Sequence, residues 1–367
     1  MATPKIDDLL RLSVEMQASD LLIKAETPPM VRVHGDLQRL DMPPLTEEES
    51  KEISYSVPTP EQIARFEREL ELDLAYNIPG LARFRVNLFQ QRAMIGSAYR
   101  TIPLTIQSME DLNLPQVCRY FAERPRGLVL VTGPTGCGKT TSLAAMIRYI
   151  NEREPTHIMT VEDPVEFVHE DIQALINQRE LGADTHSFAA ALKFVLRQDP
   201  DVILVGEMRD LETIALAITA AETGHLVFGT LHTTDAVQTV DRIIDVFPTY
   251  QQQQVRMQLS VNLVGVMSQT LVKKADGTGR VAAFETLVAI PSIRNLIREA
   301  KTFQIASLIQ TGSRSGMFTL DQNLASLVRQ RIITEEEATL KAQNAREMRT
   351  ILQEQASEGR AARAAAH

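Results

Sequence analysis

The run Gly133-Pro134-Thr135-Gly136-Cys137-Gly138-Lys139-Thr140 fits the pattern GxxxxGK[ST], and Thr141 follows it. It comes directly after the apolar stretch GLVLVTG (127–133) and opens a segment of helical character. That setting matters more than the string itself. Glycines let successive backbone N–H groups turn inward around a phosphate, and the first helical turn adds its dipole. Lys139 would reach the β- and γ-phosphates of a nucleotide, and the Thr140 hydroxyl would ligate Mg²⁺. The competing reading is a chance match in a glycine-containing turn, which average residue frequencies make about a one-in-a-hundred event. Cys137 reads as a small loop residue, because no base or oriented histidine adjoins it in sequence.

Other strand ends carry further chemistry. DVILVGE (201–207) takes four apolar residues into a sheet and delivers Glu207 beyond them. A carboxylate there could hold Mg²⁺ through water, since that ion keeps much of its hydration shell. HIMTVED (157–163) leads to Glu162, Asp163 and Glu166, three carboxylates within five residues. Phosphoryl transfer to water needs one group to orient the water and others around the metal. Pro164 favours an extended turn that sets Glu162 and Asp163 apart from Glu166. A solvated acidic turn is the alternative. His225 and His232 bracket HLVFGTLHT and would lie roughly 23 Å apart on an extended strand, so they cannot share a metal. Each could sense a γ-phosphate or a subunit boundary, or serve as a satisfied structural residue. Arg83, Arg85 and Arg100 could supply the arginine that a phosphate loop often receives from elsewhere. Surface arginines on an exposed strand are the equal alternative.

These residues need a frame. The short apolar runs at 127–133, 157–163, 201–207 and 225–230 alternate with helical segments near 139–152, 187–198, 210–222 and 236–245. Near-continuous apolar strands separated by helices predict a parallel sheet covered on both faces, with the chemistry at the carboxyl ends of its strands. A hairpin is expected over 269–288, turning at Asp276-Gly277, followed by helices and a frayed GRAARAAAH tail.

The front of the chain has another texture. A helix is expected over 5–17, with Ile6, Leu9, Leu10 and Val14 on its apolar stripe, then strands at 20–25 and 30–40, the latter turning at His34-Gly35-Asp36. Helices near 46–56 and 60–70 precede a meander over 72–101, broken at Pro79-Gly80 and Arg92-Ala93. Phe84, Val86 and Leu88 alternate with Arg83, Arg85 and Asn87, the period of a half-buried strand. The pattern describes a small α+β unit with mainly antiparallel pairing. Between Pro103 and Pro115 the pattern lapses, so the expected organisation is a front domain at 1–100, a linker at 101–115 and an α/β domain at 116–367.

Composition sets outer limits. The 367 residues are 44% hydrophobic and 23% charged, which excludes global disorder and a coiled-coil rod. That length favours two cores. A net charge of −9 argues against nucleic acid as the main partner. Cys118 and Cys137 form no CxxC pair, so neither a disulfide scaffold nor a four-ligand zinc module is supported, and a reducing cytoplasm fits. Acids occupy the opening MATPKIDDLLRLSVEMQ where a secretory signal would be basic and apolar. No stretch approaches the roughly 20 apolar residues of a membrane span.

Taken together, the blocks resemble the secretion-type traffic ATPases, most closely the PilT subgroup that powers type IV pilus retraction. GPTGCGKTT (133–141) matches Walker A, TVEDPVEFVH (160–169) the aspartate box, LVGEMRD (204–210) Walker B and GHLVFGTLHT (224–233) the histidine box. The likeness continues through 19–35, 84–92, 176–182, 187–201, 293–305 and 316–329, nearly the whole chain. Departures are mild: Pro291-Ser292 precedes Ile293 where proline-alanine is common, and Cys137 and Thr140 stand where serine is commoner.

The resemblance implies an α/β chain with a RecA-like P-loop ATPase domain preceded by a small PAS-like α+β domain, joined by a flexible linker and assembled as a homo-hexamer. It implies ATP and Mg²⁺ held between the two domains, with Arg83, Arg85 and Arg100 as candidates to approach the phosphates. By the same likeness Glu166 activates water, Glu207 is the Walker B glutamate at magnesium beside Thr140, and Lys139 serves catalysis. The nucleotide-binding set is then 133–141 with Glu162, Asp163, His225 and His232. IRNLIREAK (293–301) resembles an element tied to retraction rather than hydrolysis. The expected partner is an inner-membrane pilus platform protein, with no nucleic acid and membrane contact only through protein, at the cytoplasmic face of the inner membrane. Alternatives are an accessory PilU-like retraction ATPase and a pilus-assembly or type II secretion ATPase. Two cysteines count against the last, whose members commonly carry a tetracysteine module.

Overall fold

The computed structural model describes residues 3–352 except 34, 103, 104 and 347. His34 of the expected turn, Pro103 of the expected linker and the GRAARAAAH tail lie outside the described residues. The chain divides into two compact units, one of 1–105 with 166–168, the other of 106–165 with 169–367.

In the first unit, helix α1 (Ile6–Glu15) precedes strands β1 (Asp20–Ile23), β2 (Met30–Val33) and β3 (Asp36–Arg39), then helices α2 (Glu47–Tyr55) and α3 (Pro60–Glu69). The meander follows as β4 (Glu71–Ile78), β5 (Ala82–Gln91) and β6 (Met94–Ile102). The sheet order is β3-β2-β1-β6-β5-β4, and every pairing in it is antiparallel. Thr46 and Thr59 each close a capping box, with Glu49 and Gln62, which satisfies the first amides of α2 and α3. One apolar core gathers Leu9 and Leu10 of α1, Ile53 of α2 and Phe66 of α3 against Phe84, Val86 and Leu88. On α1, the expected Val14 is half-buried against this core, and Ser13 beside it is fully buried.

The second unit opens with α4 (Val117–Ala122). It continues β7 (Gly127–Thr132), α5 (Lys139–Asn151), β8 (His157–Glu162), β9 (Leu175–Glu180), α6 (Phe188–Val195), β10 (Val202–Val205), α7 (Leu211–Glu222), β11 (Leu226–Leu231) and α8 (Ala236–Asp245). Then come α9 (Thr249–Asn262), β12 (Leu263–Lys273), β13 (Arg280–Val288) and helices α10 (Pro291–Arg298), α11 (Ile305–Thr311), α12 (Leu320–Arg329) and α13 (Glu335–Lys341). Strand order is β13-β12-β7-β11-β10-β8-β9, parallel throughout except for the β12–β13 hairpin. All residues of β7, β10 and β11 are buried, as expected of strands covered on both faces. Part of the expected linker belongs to this unit, since Met109 is buried in its core. No helix among the described residues is long and apolar enough to cross a membrane.

Strand β12 passes close beneath α4. A Cβ built on Gly265 would lie 2.3 Å from the Phe121 ring and 2.6 Å from the Leu287 carbonyl oxygen. Gly265→Ala is therefore expected to destabilise the second unit by about 1–3 kcal/mol. The check is the urea midpoint of the intact chain, and an unchanged midpoint would show that the ring moves aside without cost.

Candidate functional site

Strand β7 ends at Thr132, and the loop from Gly133 carries the chain into α5. Gly133, Gly136 and Gly138 all take positive φ, at 141°, 74° and 91°, conformations that a side chain resists. Pro134, Thr135 and Gly136 are exposed at the tip, whereas Cys137 and Lys139 are buried and Thr140 and Thr141 are half-buried. The Lys139 ammonium donates to the carbonyl oxygens of Gly133 at 2.8 Å and Pro134 at 3.2 Å, so the loop wraps its own lysine. Burial raises the Cys137 thiol above its ordinary range, with Lys139 opposing, which keeps it protonated and unreactive at neutral pH. Among the described residues no side chain caps α5, in contrast to Ser187 on α6, Asp210 on α7 and Asp235 on α8. An anion at this end would meet the positive end of the α5 dipole.

Two neighbouring strand ends converge on this loop. Parallel pairing of β10 with β11 places Val205 opposite Gly229. Glu207 and His232 then meet beyond the strands, with His232 Nε2 2.8 Å from Glu207 Oε1. The other imidazole nitrogen lies 3.5 Å from the Thr135 hydroxyl at the loop tip. Arg209 also donates to Glu207 through Nε, and that bond raises the guanidinium above its ordinary range, with Asp163 adding a smaller attraction. Loop tip, Glu207, His232 and Arg209 therefore form one connected polar cluster at the carboxyl edge of the sheet.

Strand β12 supports the loop from beneath. Gln269 donates from Nε2 to the Cys137 carbonyl oxygen at 2.7 Å and accepts from the Ser142 hydroxyl at 2.9 Å. Its own carbonyl oxygen sits 2.2 Å from where a Cβ on Gly133 would be, so only glycine fits there. Sequence reading singled out neither Gln269 nor Arg209. The available signal was a Ser-Gln pair interrupting the apolar run LVGVM of β12.

Glu162, the last residue of β8, is buried, and it accepts from the Thr160 hydroxyl at 2.6 Å. Asp163 is exposed and joined to Pro164 through a cis peptide, and Glu166 is half-buried in the segment counted with the first unit. His225 is not brought to the cluster. It lies at the amino end of β11, its Nδ1 2.9 Å from the Ala220 carbonyl oxygen, closing the last turn of α7. Seven positions of extended chain separate it from His232, which is why only one of the pair reaches the loop.

In the first unit, Arg83 and Arg85 project from the face of β5 opposite its buried Phe84, Val86 and Leu88. Arg100 on β6 is the register partner of Arg85. Like charges placed opposite one another repel. Asp20, 3.0 Å from Arg100 and 3.8 Å from Arg32, offsets part of that repulsion.

A family model described as type II/IV secretion system protein matches residues 92–365. The twitching motility protein of Neisseria gonorrhoeae is 55% identical over 341 residues, 93% of this chain and 91% of that protein. The type IV pilus retractation ATPase PilT of Pseudomonas aeruginosa is 53% identical over 337 residues, 92% of this chain and 98% of that protein. A crystal structure of the pilus retraction motor PilT with bound ADP matches with a TM-score of 0.88 at 45% identity, over 94% of this chain and 98% of that one. With its phosphate-loop fold and these matches along most of its length, the chain belongs to the type II/IV secretion system protein family.

Proposed function

We propose that this chain is the ATP-hydrolysing motor of type IV pilus retraction. The observation that carries the reading is the cluster joining the Gly133–Thr140 loop to Glu207 and His232, on a chain more than half identical to retraction and twitching proteins. Backbone amides at the start of α5 receive the phosphates, and Lys139 places its charge against them. The donor set suits Mg²⁺: a half-buried hydroxyl at Thr140 and a carboxylate at Glu207 are the oxygen ligands that ion prefers. When bound, the ion would neutralise charge on the phosphate oxygens.

The remaining roles belong to side chains of this chain. Glu166 orients and deprotonates the attacking water. His232 holds Glu207 in place and links it to Thr135 at the loop tip. Glu162 and Asp163 fix the start of the loop that carries Glu166. Arg83, Arg85 and Arg100 supply a positive face to an anionic ligand, since guanidinium–phosphate bonds are charge-assisted and strong. The working form is a homo-hexamer at the cytoplasmic face of the inner membrane, docked through a pilus platform protein. His225 serves as a structural residue at the end of α7.

The test is complementation in a piliated strain whose own retraction ATPase gene is deleted. Expression of this chain should restore twitching and remove surplus surface pili. The purified protein should elute at the mass of a hexamer and turn over ATP. Pilus production that depends on this chain would overturn retraction in favour of assembly, and a monomer with and without ATP would overturn the ring.

A further inference from the structure

We infer that Gln178 is the positioning residue for the loop that carries Glu166. The inference rests on the proposed role of Glu166 in activating water. The loop departs from β8 after Glu162 and rejoins the second unit at His169. Gln178 on β9 spans the two margins of that loop with one amide group. Its Nε2 donates to Glu162 Oε1 at 3.1 Å, and its Oε1 accepts from the His169 backbone N–H at 2.8 Å.

The register explains why this residue reaches both. Strands β8 and β9 are parallel, with Thr160 opposite Gln178 and Glu162 opposite Glu180, so these four side chains share one face. Thr160 and Gln178 donate to the same oxygen of Glu162. Buried carboxylates need such donors, because desolvation without them is costly. Glu180 adds a third hold on the loop by accepting from the Val165 N–H at 3.1 Å. The edge strand thus grips the loop at Glu162, Val165 and His169, on either side of Glu166.

Only an amide of this length meets the requirement. The group must donate toward a carboxylate on one side and accept from a backbone N–H on the other. Glutamate in its place would still accept from His169 but would set a second carboxylate against Glu162. Alanine would release both margins. Because a misplacement of about 1 Å in a reacting group costs on the order of a hundredfold in rate, the loop margins bear directly on turnover.

The experiment compares Gln178→Ala, Gln178→Glu, Glu166→Gln and the Gln178→Ala/Glu166→Gln double variant in the full chain. It reads kcat, KM for ATP, affinity for a fluorescent ATP analogue and the thermal midpoint. Expected are a kcat about tenfold to a hundredfold lower in both Gln178 variants, with KM and analogue affinity close to the parent and a modestly lower midpoint, because buried Glu162 loses a donor. In the double variant, the residual turnover of Glu166→Gln should fall no further, because the two residues act as one unit. Unchanged kcat in Gln178→Ala or Gln178→Glu, with Glu166→Gln inactive, would overturn the inference and leave the role of Glu166 standing. Losses of kcat that vanish when the assay is run well below the midpoint, or that match a loss of analogue binding, would reduce Gln178 to a sheet brace and also overturn it. Full turnover in Glu166→Gln would instead overturn the reading on which the inference rests.

Discussion

Lys139→Ala is expected to lower ATP turnover by at least about a hundredfold, the scale lost when one preorganised charge-stabilising group is removed from a phosphoryl or acyl transfer site. The physical argument begins with burial. The Lys139 side chain is enclosed by its own loop, its ammonium bonded to the carbonyl oxygens of Gly133 and Pro134. A buried charge with carbonyl partners interacts more strongly with an arriving anion than a solvated lysine would, because less water screens it. On the proposed reading, the ammonium exchanges these carbonyls for phosphate oxygens when the nucleotide binds. Alanine removes that charge and also strands two carbonyls in the loop, at a cost of about 1–3 kcal/mol for an unsatisfied buried group. The measurement therefore needs a stability control. Steady-state turnover is read beside the thermal midpoint, and Gln269, Ser142 and the glycines should keep the loop folded enough for the midpoint to fall only modestly. Retained turnover in Lys139→Ala would sink the phosphate-loop mechanism. Lost turnover with an unfolded second unit would call for Lys139→Met, which keeps the apolar stem and removes the charge.

The sequence alone carried the frame of this site well and its cross-links poorly. GLVLVT, VILV and LVFGTL were legible as strands because each is a nearly continuous apolar run, the pattern of a strand buried on both faces. LINQRE of β9 was invisible as a strand, since its alternation of polar side chains is that of an exposed edge and its partner β8 is supplied only by the fold. The apolar start of β12 was hidden for a different reason. It follows α9, whose glutamine-rich exterior leaves only Val255, Leu259 and Ser260 buried and so marks no clear helix end. Glu207 and His232 could each be named from a strand end, yet their contact could not, because it depends on β10 and β11 being neighbours in register. The face shared by Arg83 and Arg85 followed from the period of two, while the pairing of Arg85 with Arg100 required the β5–β6 register. Gln269 lies more than a hundred positions along the chain from the loop it braces, a contact that no local pattern encodes.

Glu166→Gln is expected to spare nucleotide binding and to cut hydrolysis by about a hundredfold to ten-thousandfold, the range that a positioned general base contributes. The substitution keeps the size of the side chain and its capacity to accept a hydrogen bond, and removes only the basic oxygen. Packing of the half-buried residue and the loop margins at Glu162, Val165 and His169 should therefore survive, and the thermal midpoint should stay close to the parent. Glu207 is a weaker candidate for the same task on geometric grounds. Its Oε1 lies 2.8 Å from His232 and also accepts from Arg209, so that oxygen is engaged in holding the cluster together. Glu207→Gln should consequently disturb the Mg²⁺ dependence of turnover as well as its rate, whereas Glu166→Gln should lower kcat at unchanged Mg²⁺ requirement. Both variants are read by single-turnover hydrolysis with saturating ATP and by titration of a fluorescent analogue. Parent-like hydrolysis in Glu166→Gln would return Asp163 and Glu166 to the status of a solvated acidic turn beyond the buried Glu162. Loss of analogue binding in the same variant would show that the carboxylate shapes the nucleotide pocket instead of acting on water.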